Sequence, residues 1–343
     1  MNVAVVGAGI MGASACLALA KRGHAVTVFE QFRPGHDRGS SHGSSRIVRK
    51  AYPDRFYSEI MLEGYELWKE LQEQSQREIL HETGLFYFGD ADSENMKEQA
   101  RGLSELGIEH KIVEGTGNIE HVVRLERGRL GIFSLDGGWV HAENAVWASL
   151  ELARSFGATV VTEKVAHLEQ LKAFDRVVLT AGPWISELVT VPTQVTLQTL
   201  AYFQGTVVGP VWIEDGPKNI YGFPSEPGAQ EFKLGVHCPD REVHPDEMLR
   251  NPSEEFIELM KDACRRLGLT TNPIVTRTVT CLYTNAPNED FLVGTIDKRT
   301  VFASPCSGHG FKFGPWMGRF LADIVEGKSS PDRYPRWVYS AAG

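Results

Sequence analysis

The sequence of 343 residues is poor in cysteine, in positive charge and in long apolar runs. Its five cysteines are an odd number and form no CxxC pair, which argues against a disulfide framework and a zinc site, so no metal is expected. No apolar run approaches the roughly 18 residues that span a bilayer. Met1 is followed at once by an apolar strand rather than a charged leader. These absences predict a cytoplasmic protein without a membrane-embedded part.

The charge balance is also informative about partners. There are 35 Lys and Arg residues against 44 Asp and Glu residues, which gives a net charge of −9. A basic surface for nucleic acid or an anionic membrane is therefore not predicted. Glycine, in contrast, is frequent at 34 residues, which suits a protein with many tight turns around a ligand. We expect a monomer that binds small molecules.

The order of sequence patterns predicts a mixed α/β and antiparallel β fold. A βαβ pattern opens the chain, parallel-sheet segments close it, and strands of alternating polarity lie between them. This arrangement is typical of a discontinuous, Rossmann-like nucleotide-binding domain into which an antiparallel-sheet substrate domain is inserted. The expected bounds are 1–78, 136–190 and 285–343 for the first domain and 79–135 and 191–284 for the second.

One helix of the middle region has clear boundary signals. Asn251 is the predicted cap, Pro252 occupies the first turn, Glu254 completes a capping box, and Gly268 ends the helix. Its predicted buried stripe comprises Phe256, Met260, Cys264 and Leu267. The spacing therefore places Cys264 in the core.

A dinucleotide fingerprint begins at Gly7. This first glycine permits a tight turn, Gly9 lets the backbone approach a pyrophosphate, and Gly12 lets the helix pack on the strand. The helix N-terminus attracts the phosphates, and Glu30 closes the second strand, where it can accept hydrogen bonds from a ribose. The alternative is a tight turn that binds nothing. The fingerprint does not separate FAD from NAD, and it would open a nicotinamide-dependent hydroxyacid dehydrogenase equally well.

Three later segments resemble the monomeric sarcosine oxidase and pipecolate oxidase family of the D-amino-acid oxidase superfamily. They are residues 40–52 (SSHGSSRIVRKAY), residues 281–284 (CLYT) and residues 307–312 (SGHGFK). Weaker matches at 221–224 and 233–237 fall between them in the family's order. The resemblance covers nearly the whole chain and implies an FAD-dependent amine oxidase.

The resemblance implies that FAD is bound covalently, through a thioether from Cys281 to the flavin 8α-methyl group. A thiolate is required for that bond, so we expect the surroundings to lower the thiol pKa. Cys306 is a second candidate, and a small buried apolar side chain is the plain alternative for either cysteine. The remaining residues expected around the flavin are Ser41, His42, Ser45, Val165, Gly182, Trp184, Gly308, His309 and Gly310.

The resemblance also implies a substrate site. Arg49 and Lys312 look like the pair that holds a substrate carboxylate, because a guanidinium offers a bidentate fork and an ammonium adds a compact charge. Two ordinary surface cations are the alternative. Tyr221 and Tyr283 resemble the aromatic walls of this site, and Arg46 resembles a family arginine close to the flavin ring.

Two residues of the 233–237 match are implied to be catalytic, together with Arg46. Lys233 resembles the family lysine implicated in oxygen activation, where a cation stabilises developing superoxide charge. The alternative is that Lys233 lies on an ordinary strand and that its side chain faces solvent. His237 is suited to contact the substrate amine or to tune its protonation, and a structural histidine is the alternative.

Together these features predict an FAD-dependent oxidase of a secondary amine or imino acid with an α-carboxylate, such as sarcosine, an N-methyl amino acid or pipecolate. Its products are an imine and hydrogen peroxide, and O2 is the second substrate. Amadori compounds match less well. One alternative is a flavin dehydrogenase that passes electrons to a quinone or carrier. The other is the NAD-dependent hydroxyacid dehydrogenase that the first thirty residues also fit.

Overall fold

The computed structural model describes residues 1–114, 123–247 and 249–339. Its α-helices are α1 (Ile10–Lys21), α2 (Arg55–Ser75), α3 (Glu94–Glu105), α4 (Ala142–Ser155), α5 (Glu254–Arg266) and α6 (Gly314–Val325). Its strands are β1 (Asn2–Val6), β2 (Ala25–Glu30), β3 (Ser45–Arg49), β4 (Leu80–His81), β5 (Leu85–Asp90), β6 (Lys111–Glu114), β7 (Arg129–Ser134), β8 (Gly137–His141), β9 (Thr159–Thr162), β10 (Arg176–Leu179), β11 (Gln194–Gln204), β12 (Val211–Glu214), β13 (Ile220–Phe223), β14 (Glu231–Val236), β15 (Val275–Asn285), β16 (Leu292–Thr295) and β17 (Thr300–Ser304).

A six-stranded sheet joins the two ends of the chain in the order β16-β17-β10-β1-β2-β9. All of its neighbouring pairs are parallel except β16 with β17. Strands β1, β10 and β17 in its middle are almost wholly buried, as expected where helices cover a parallel sheet. Helices α1, α4 and α6 pack together within the largest core cluster, which includes Val3, Val5, Trp68 and Phe320. The predicted Rossmann-like sheet is therefore confirmed.

The second sheet has eight strands in the order β15-β11-β14-β13-β12-β5-β7-β6. The predicted antiparallel sheet is confirmed, with one exception: β12 pairs with β5 in parallel, with Val211 opposite Leu85. The 120 residues between these two strands supply the long connection that parallel pairing requires. A small third sheet, β3-β8-β4, lies beside the other two. The domain bounds stay a prediction.

Helix α5 packs on the eight-stranded sheet and begins later than predicted. Ser253, not Asn251, is its cap, because the Ser253 hydroxyl accepts a hydrogen bond from the Phe256 amide. The predicted stripe is buried, including Cys264 at 0% exposure. Within the described part of the chain, no helix combines the length and apolar character needed to cross a bilayer.

Candidate active site

A cavity of about 650 Å³ lies between the two large sheets. One end is lined by the carboxyl ends of β1, β2, β10 and β17, and the other by residues of β5, β13 and β15. Ligands bind to open parallel sheets at the carboxyl ends of their strands. The position of the cavity thus follows from the fold.

The glycine turn forms the first end of the cavity. Gly7 has a φ of +95°, and a Cβ there would lie 2.5 Å from the carbonyl oxygen of Thr180. A Cβ on Gly12 would lie 1.9 Å from the carbonyl oxygen of Gly7, so Gly12 packs the helix against the turn and does not line the cavity. Gly9 lines it, and the next amide, that of Ile10, donates to Ser41 Oγ at 3.1 Å. At Gly7 and Gly12 other backbone atoms lie too close for any Cβ, so only glycine fits at these two positions.

Glu30 faces the same end of the cavity as a charged acceptor. Its carboxylate accepts hydrogen bonds from the amides of Ala8 (2.8 Å) and Phe32 (3.1 Å). Burial acts to raise the pKa of Glu30, but His36 and these two amides together hold the pKa below its ordinary value. Three further predicted residues, Val165, Gly182 and Trp184, line this part of the wall.

Arg46 organises the loop that follows β2. Its guanidinium donates to the carbonyl oxygens of Ser45 (3.0 Å), His42 (2.7 Å) and Ser40 (3.1 Å). The loop is thereby held around the cavity. Burial, and next the charge of Arg46, lower the pKa of His42 to about 4, so its imidazole is neutral.

Two cysteines reach the cavity wall. Cys281 lies on β15 and is 6% exposed. Burial raises the pKa of its thiol, against the opposing effects of Arg46 and Lys233. The expectation that the surroundings lower this pKa is therefore wrong, because burial outweighs the cations. Cys306 also lines the cavity, and its Sγ accepts from the Thr284 amide at 3.3 Å.

Positive charge is concentrated where Arg49 and Lys312 meet the ring of Tyr52. The Arg49 Cζ lies 4.1 Å from the ring centroid and the Lys312 Nζ lies 5.6 Å from it. Among the described residues, the buried Nε and Nη1 of Arg49 have no hydrogen-bond partner. Burial, and next the charge of Arg49, hold the pKa of Lys312 well below its usual range. This arrangement fits an anionic group that accepts from the guanidinium.

His237 lies beside these cations. Burial, then Lys312 and Arg49, lower the pKa of His237 to about 4, so the ring is neutral. A Cβ on Gly308 would lie 2.6 Å from His237 Cε1 and 2.4 Å from Tyr283 Cε2. The φ of Gly308 is +73°, so both space and backbone conformation require glycine there.

Tyr221 closes the wall beside these residues and lies against Gly235, where a Cβ would be 2.5 Å from the Tyr221 Cζ. Burial raises the pKa of Tyr221 to about 12, so it stays a hydrogen-bonding phenol at neutral pH.

Lys233 is separated from this cavity. It is 3% exposed, and its Nζ donates to the Ser45 carbonyl oxygen at 2.9 Å and to Ser45 Oγ at 2.5 Å. It lines a second cavity of about 30 Å³, with Ser45 common to both. The residues predicted for the site all line the large cavity except Gly12 and Lys233. Their functional roles stay predictions.

Several residues of the cavity were missed. Tyr52 lies close to both cations, and its hydroxyl is 3.3 Å from His309 Nδ1. The other His309 nitrogen lies 3.0 Å from the carbonyl oxygen of Glu289, so both ring nitrogens of His309 have partners in the protein. Tyr52 ends the 40–52 motif, which was the available signal. Tyr87 and Asp215 carry no sequence signal, because strand packing alone brings them to the cavity.

The cavity fits a flavin dinucleotide. It begins at the fingerprint turn and at Glu30, continues past His42 and Cys281, and ends at buried cations. Polar atoms in its wall that have no hydrogen-bond partner among the described residues include His42 Nε2, Thr284 Oγ1 and Ser304 Oγ. Buried polar atoms normally have partners, so these atoms indicate a polar ligand. The fold and the site thus define a dinucleotide-dependent oxidoreductase.

Comparison with known proteins gives the family. The sequence profile of the FAD dependent oxidoreductase family matches residues 2–324. The chain is 30% identical to the mouse (Mus musculus) peroxisomal sarcosine oxidase, over 93% of this chain and 90% of that protein. It is 30% identical to the monomeric sarcosine oxidase of Bacillus sp. (strain NS-129), over 96% and 94%. The chain therefore belongs to the FAD dependent oxidoreductase family.

A solved structure agrees on the fold. NikD, an amino acid oxidase essential for nikkomycin biosynthesis, superposes with a TM-score of 0.83 at 24% identity, over 99% of this chain and 98% of NikD. The prediction of an FAD enzyme of the sarcosine oxidase type is confirmed. FAD is the cofactor, and the nicotinamide alternative is wrong.

Proposed function

We propose that this protein oxidises a secondary amine or cyclic imino acid that carries an α-carboxylate, as its sarcosine oxidase relatives do for sarcosine. The observation that carries the proposal is that Arg49 and Lys312 both lie near the ring of Tyr52, with Nε and Nη1 of Arg49 buried and without a partner among the described residues. A carboxylate satisfies those donors, and no other anionic group is as common on small amines. The monomeric state and the cytoplasmic location stay predictions.

The two cations orient the substrate. The planar Arg49 guanidinium can donate two parallel hydrogen bonds to a carboxylate and so fixes the plane of that group. The Lys312 ammonium adds positive charge but does not fix the orientation of the carboxylate. The carboxylate in turn raises the pKa of Lys312 toward its ordinary value, which keeps the ammonium charged in the complex. The amine is then held on the side of His237, Tyr221 and Tyr283.

His237 is placed to contact the amine of the substrate. An amine must lose its proton before its C–N bond can be oxidised. Burial and the nearby cations lower the pKa of His237 to about 4, so the neutral ring can accept a hydrogen bond from the amine but is a weak base. Its positive neighbours, Lys312 and Arg49, also favour the neutral form of an amine that binds beside them.

FAD, when bound, supplies the electron transfer: amine, O2 and water give the carbonyl product, the released amine and hydrogen peroxide, with an imine as the product of the first half-reaction. Gly7, Gly9 and Glu30 would hold the dinucleotide part. Burial, and next the charge of Arg46, hold the pKa of Lys233 well below its usual range behind Ser45. In its protonated form Lys233 would supply a positive charge for the reaction with O2.

The experiment measures both halves of the reaction. Purified protein is mixed anaerobically with sarcosine, N-methyl-L-alanine or pipecolate while the flavin absorbance is followed, and peroxide is then assayed in air. The proposal predicts bleaching followed by peroxide release. Protein that retains flavin but is bleached by none of these compounds contradicts it. Bleaching with slow reoxidation in air indicates a dehydrogenase instead.

We also propose that the flavin is attached to Cys281. Both Cys281 and Cys306 line the cavity, and Cys281 lies within the family-like 281–284 motif. In acid-precipitated protein, yellow colour is expected in the pellet of the wild type and of Cys306→Ala, but in the supernatant of Cys281→Ala. Colour that stays in the Cys281→Ala pellet assigns the bond elsewhere.

A further inference from the structure

A carboxylate without a cationic partner lies in the wall of the large cavity. Asp215 follows β12 and lines the cavity together with Asn95 and Tyr87. Its Oδ1 accepts hydrogen bonds from the Tyr87 hydroxyl and the Asn95 side chain, both at 2.9 Å, and its Oδ2 accepts from Ser93 Oγ at 2.6 Å. All three donors are neutral. They orient the carboxylate and leave its charge uncompensated.

Two other acidic residues of the cavity wall do have a cationic partner. Asp54 and Asp290 each lie 2.7 Å from the guanidinium of Arg336. For Asp215, no Lys, Arg or His nitrogen of the described ranges lies within 4.0 Å. A cavity carboxylate surrounded by neutral donors is a ready partner for a cationic ligand group.

The carboxylate is held rigidly. The Asp215 amide donates to the Phe88 carbonyl oxygen at 2.7 Å. A Cβ on Gly89 would lie 2.8 Å from the Asp215 Cβ, so the strand can pass this close only as glycine. At the other end of the turn, the carbonyl oxygen of Asn219 accepts from the His237 amide at 3.1 Å. The turn that carries Asp215 is thereby tied to the residue next to the cations, and a preorganised acceptor costs a ligand little to bind.

Tyr87 connects Asp215 with the carboxylate-binding cations. Its ring centroid lies 5.7 Å from the Arg49 Cζ, and its hydroxyl donates to Asp215. Arg49 and Asp215 therefore both lie against one buried tyrosine, Arg49 near its ring and Asp215 at its hydroxyl. A substrate whose carboxylate binds Arg49 can extend an aliphatic side chain along this ring and reach Asp215 with its end.

We propose that Asp215 is a specificity-determining residue that selects amino acids with a cationic side-chain terminus, of the length of a lysine or ornithine side chain. This inference rests on the proposed function, since it takes Arg49 as the anchor of the substrate carboxylate. Tyr87 positions the carboxylate and supplies an apolar face for the stem of the side chain. Substrates with an anionic terminus are rejected by like charge.

The test uses the holoenzyme and three substrates of matched length. They are the Nα-methyl derivatives of L-lysine (cationic), L-2-aminoheptanoate (neutral) and L-2-aminoadipate (anionic), compared by kcat/KM from peroxide release. The wild type is expected to prefer the cationic over the neutral substrate roughly ten- to hundredfold. Asp215→Asn keeps the shape and an acceptor but removes the charge, and it should abolish most of that preference. Asp90→Asn, with a side chain that is 86% exposed, is the control.

The outcomes separate three possibilities. Equal kcat/KM of the wild type for the cationic and neutral substrates overturns the role of Asp215 and leaves the proposed function intact. A parallel loss for all three substrates in Asp215→Asn shows that Asp215 only holds α3 to the sheet, and also overturns it. Absence of bleaching with every substrate overturns both proposals. A binding measurement needs no variant: flavin absorbance changes should give tighter binding of 6-aminohexanoate than of hexanoate, and the reverse order contradicts the proposal.

Discussion

The guanidinium of Arg49 lies over the ring of Tyr52, with its Cζ 4.1 Å from the ring centroid, while its Nε and Nη1 are buried without a partner among the described residues. The ring supports the cation from one side by a cation–π contact and leaves the edge of the guanidinium free. Leaving such donors unpaired is costly. The site is therefore arranged for an anion that arrives with the substrate.

The bidentate guanidinium of Arg49 is expected to be necessary for binding the substrate carboxylate. Arg49→Lys keeps the charge and loses the bidentate geometry, so kcat/KM for an N-methyl amino acid should fall roughly hundredfold, mainly through KM. Steady-state peroxide assays measure this, with the exposed Arg101→Lys as control. An equal loss with an N-methyl alkylamine, which has no carboxylate, would count against the assignment.

Lys312 should make anion binding depend on pH. Burial and Arg49 depress its pKa well below the ordinary value, and a lysine is charged only below its pKa. The affinity for acetate, followed by flavin absorbance, should therefore weaken as pH rises through this depressed pKa. In Lys312→Met this dependence should disappear. Wild-type affinity that stays constant far into the alkaline range contradicts the prediction.

Lys233 is expected to affect only the reaction with oxygen. Because Ser45 separates it from the large cavity, Lys233→Met should leave anaerobic flavin reduction within about twofold and slow reoxidation by O2 roughly a hundredfold. Stopped-flow mixing resolves the two half-reactions, and the exposed Lys298→Met is the control. Similar slowing of both half-reactions would mean that the variant disturbs the whole site.

Gly308 and Gly327 form a matched pair. Their φ angles are +73° and +72°, but a Cβ on Gly308 would collide with Tyr283 and His237, whereas nothing lies within 4 Å at Gly327. Both alanine variants should lose about 1 kcal/mol of unfolding free energy from the left-handed backbone, and Gly308→Ala should lose more because of the collision. Gly308→Ala alone should also lose roughly ten- to hundredfold in kcat/KM. Unchanged kinetics in Gly308→Ala would show that the three residues are not in contact.

Glu326 should contribute to stability in a pH-dependent way. Lys328, with His24 and Arg22, lowers its pKa to about 2 from 4.5 although burial opposes this. Because the folded pKa lies below the unfolded one, the stabilisation is present above about pH 4.5 and is lost as pH falls toward 2. Glu326→Gln should lower Tm at pH 7 by roughly 2 °C and lower it less in acid. The exposed Glu169→Gln is the control. A Tm difference between the wild type and Glu326→Gln that grows as the pH falls would refute the assignment.

Local sequence patterns were sufficient to predict the elements whose structure depends on residues close together in the sequence. The fingerprint glycines, Glu30 and the apolar strands around them depend on neighbours in sequence, so their turn and sheet could be predicted. Even here a boundary was missed. Asn251 and Ser253 are both good caps, and the choice of Ser253 depends on which of the two reaches the Phe256 amide.

The sequence by itself determined the cofactor class, the family and the motif residues of the cavity, because short motifs carry them. Only the tertiary structure decided which groups meet. It placed Lys233 behind Ser45, raised the pKa of Cys281 by burial, and brought Asp215 to Tyr87 across 128 residues. Burial and long-range pairing depend on how strands from distant segments are ordered in a sheet, and no local pattern encodes that order.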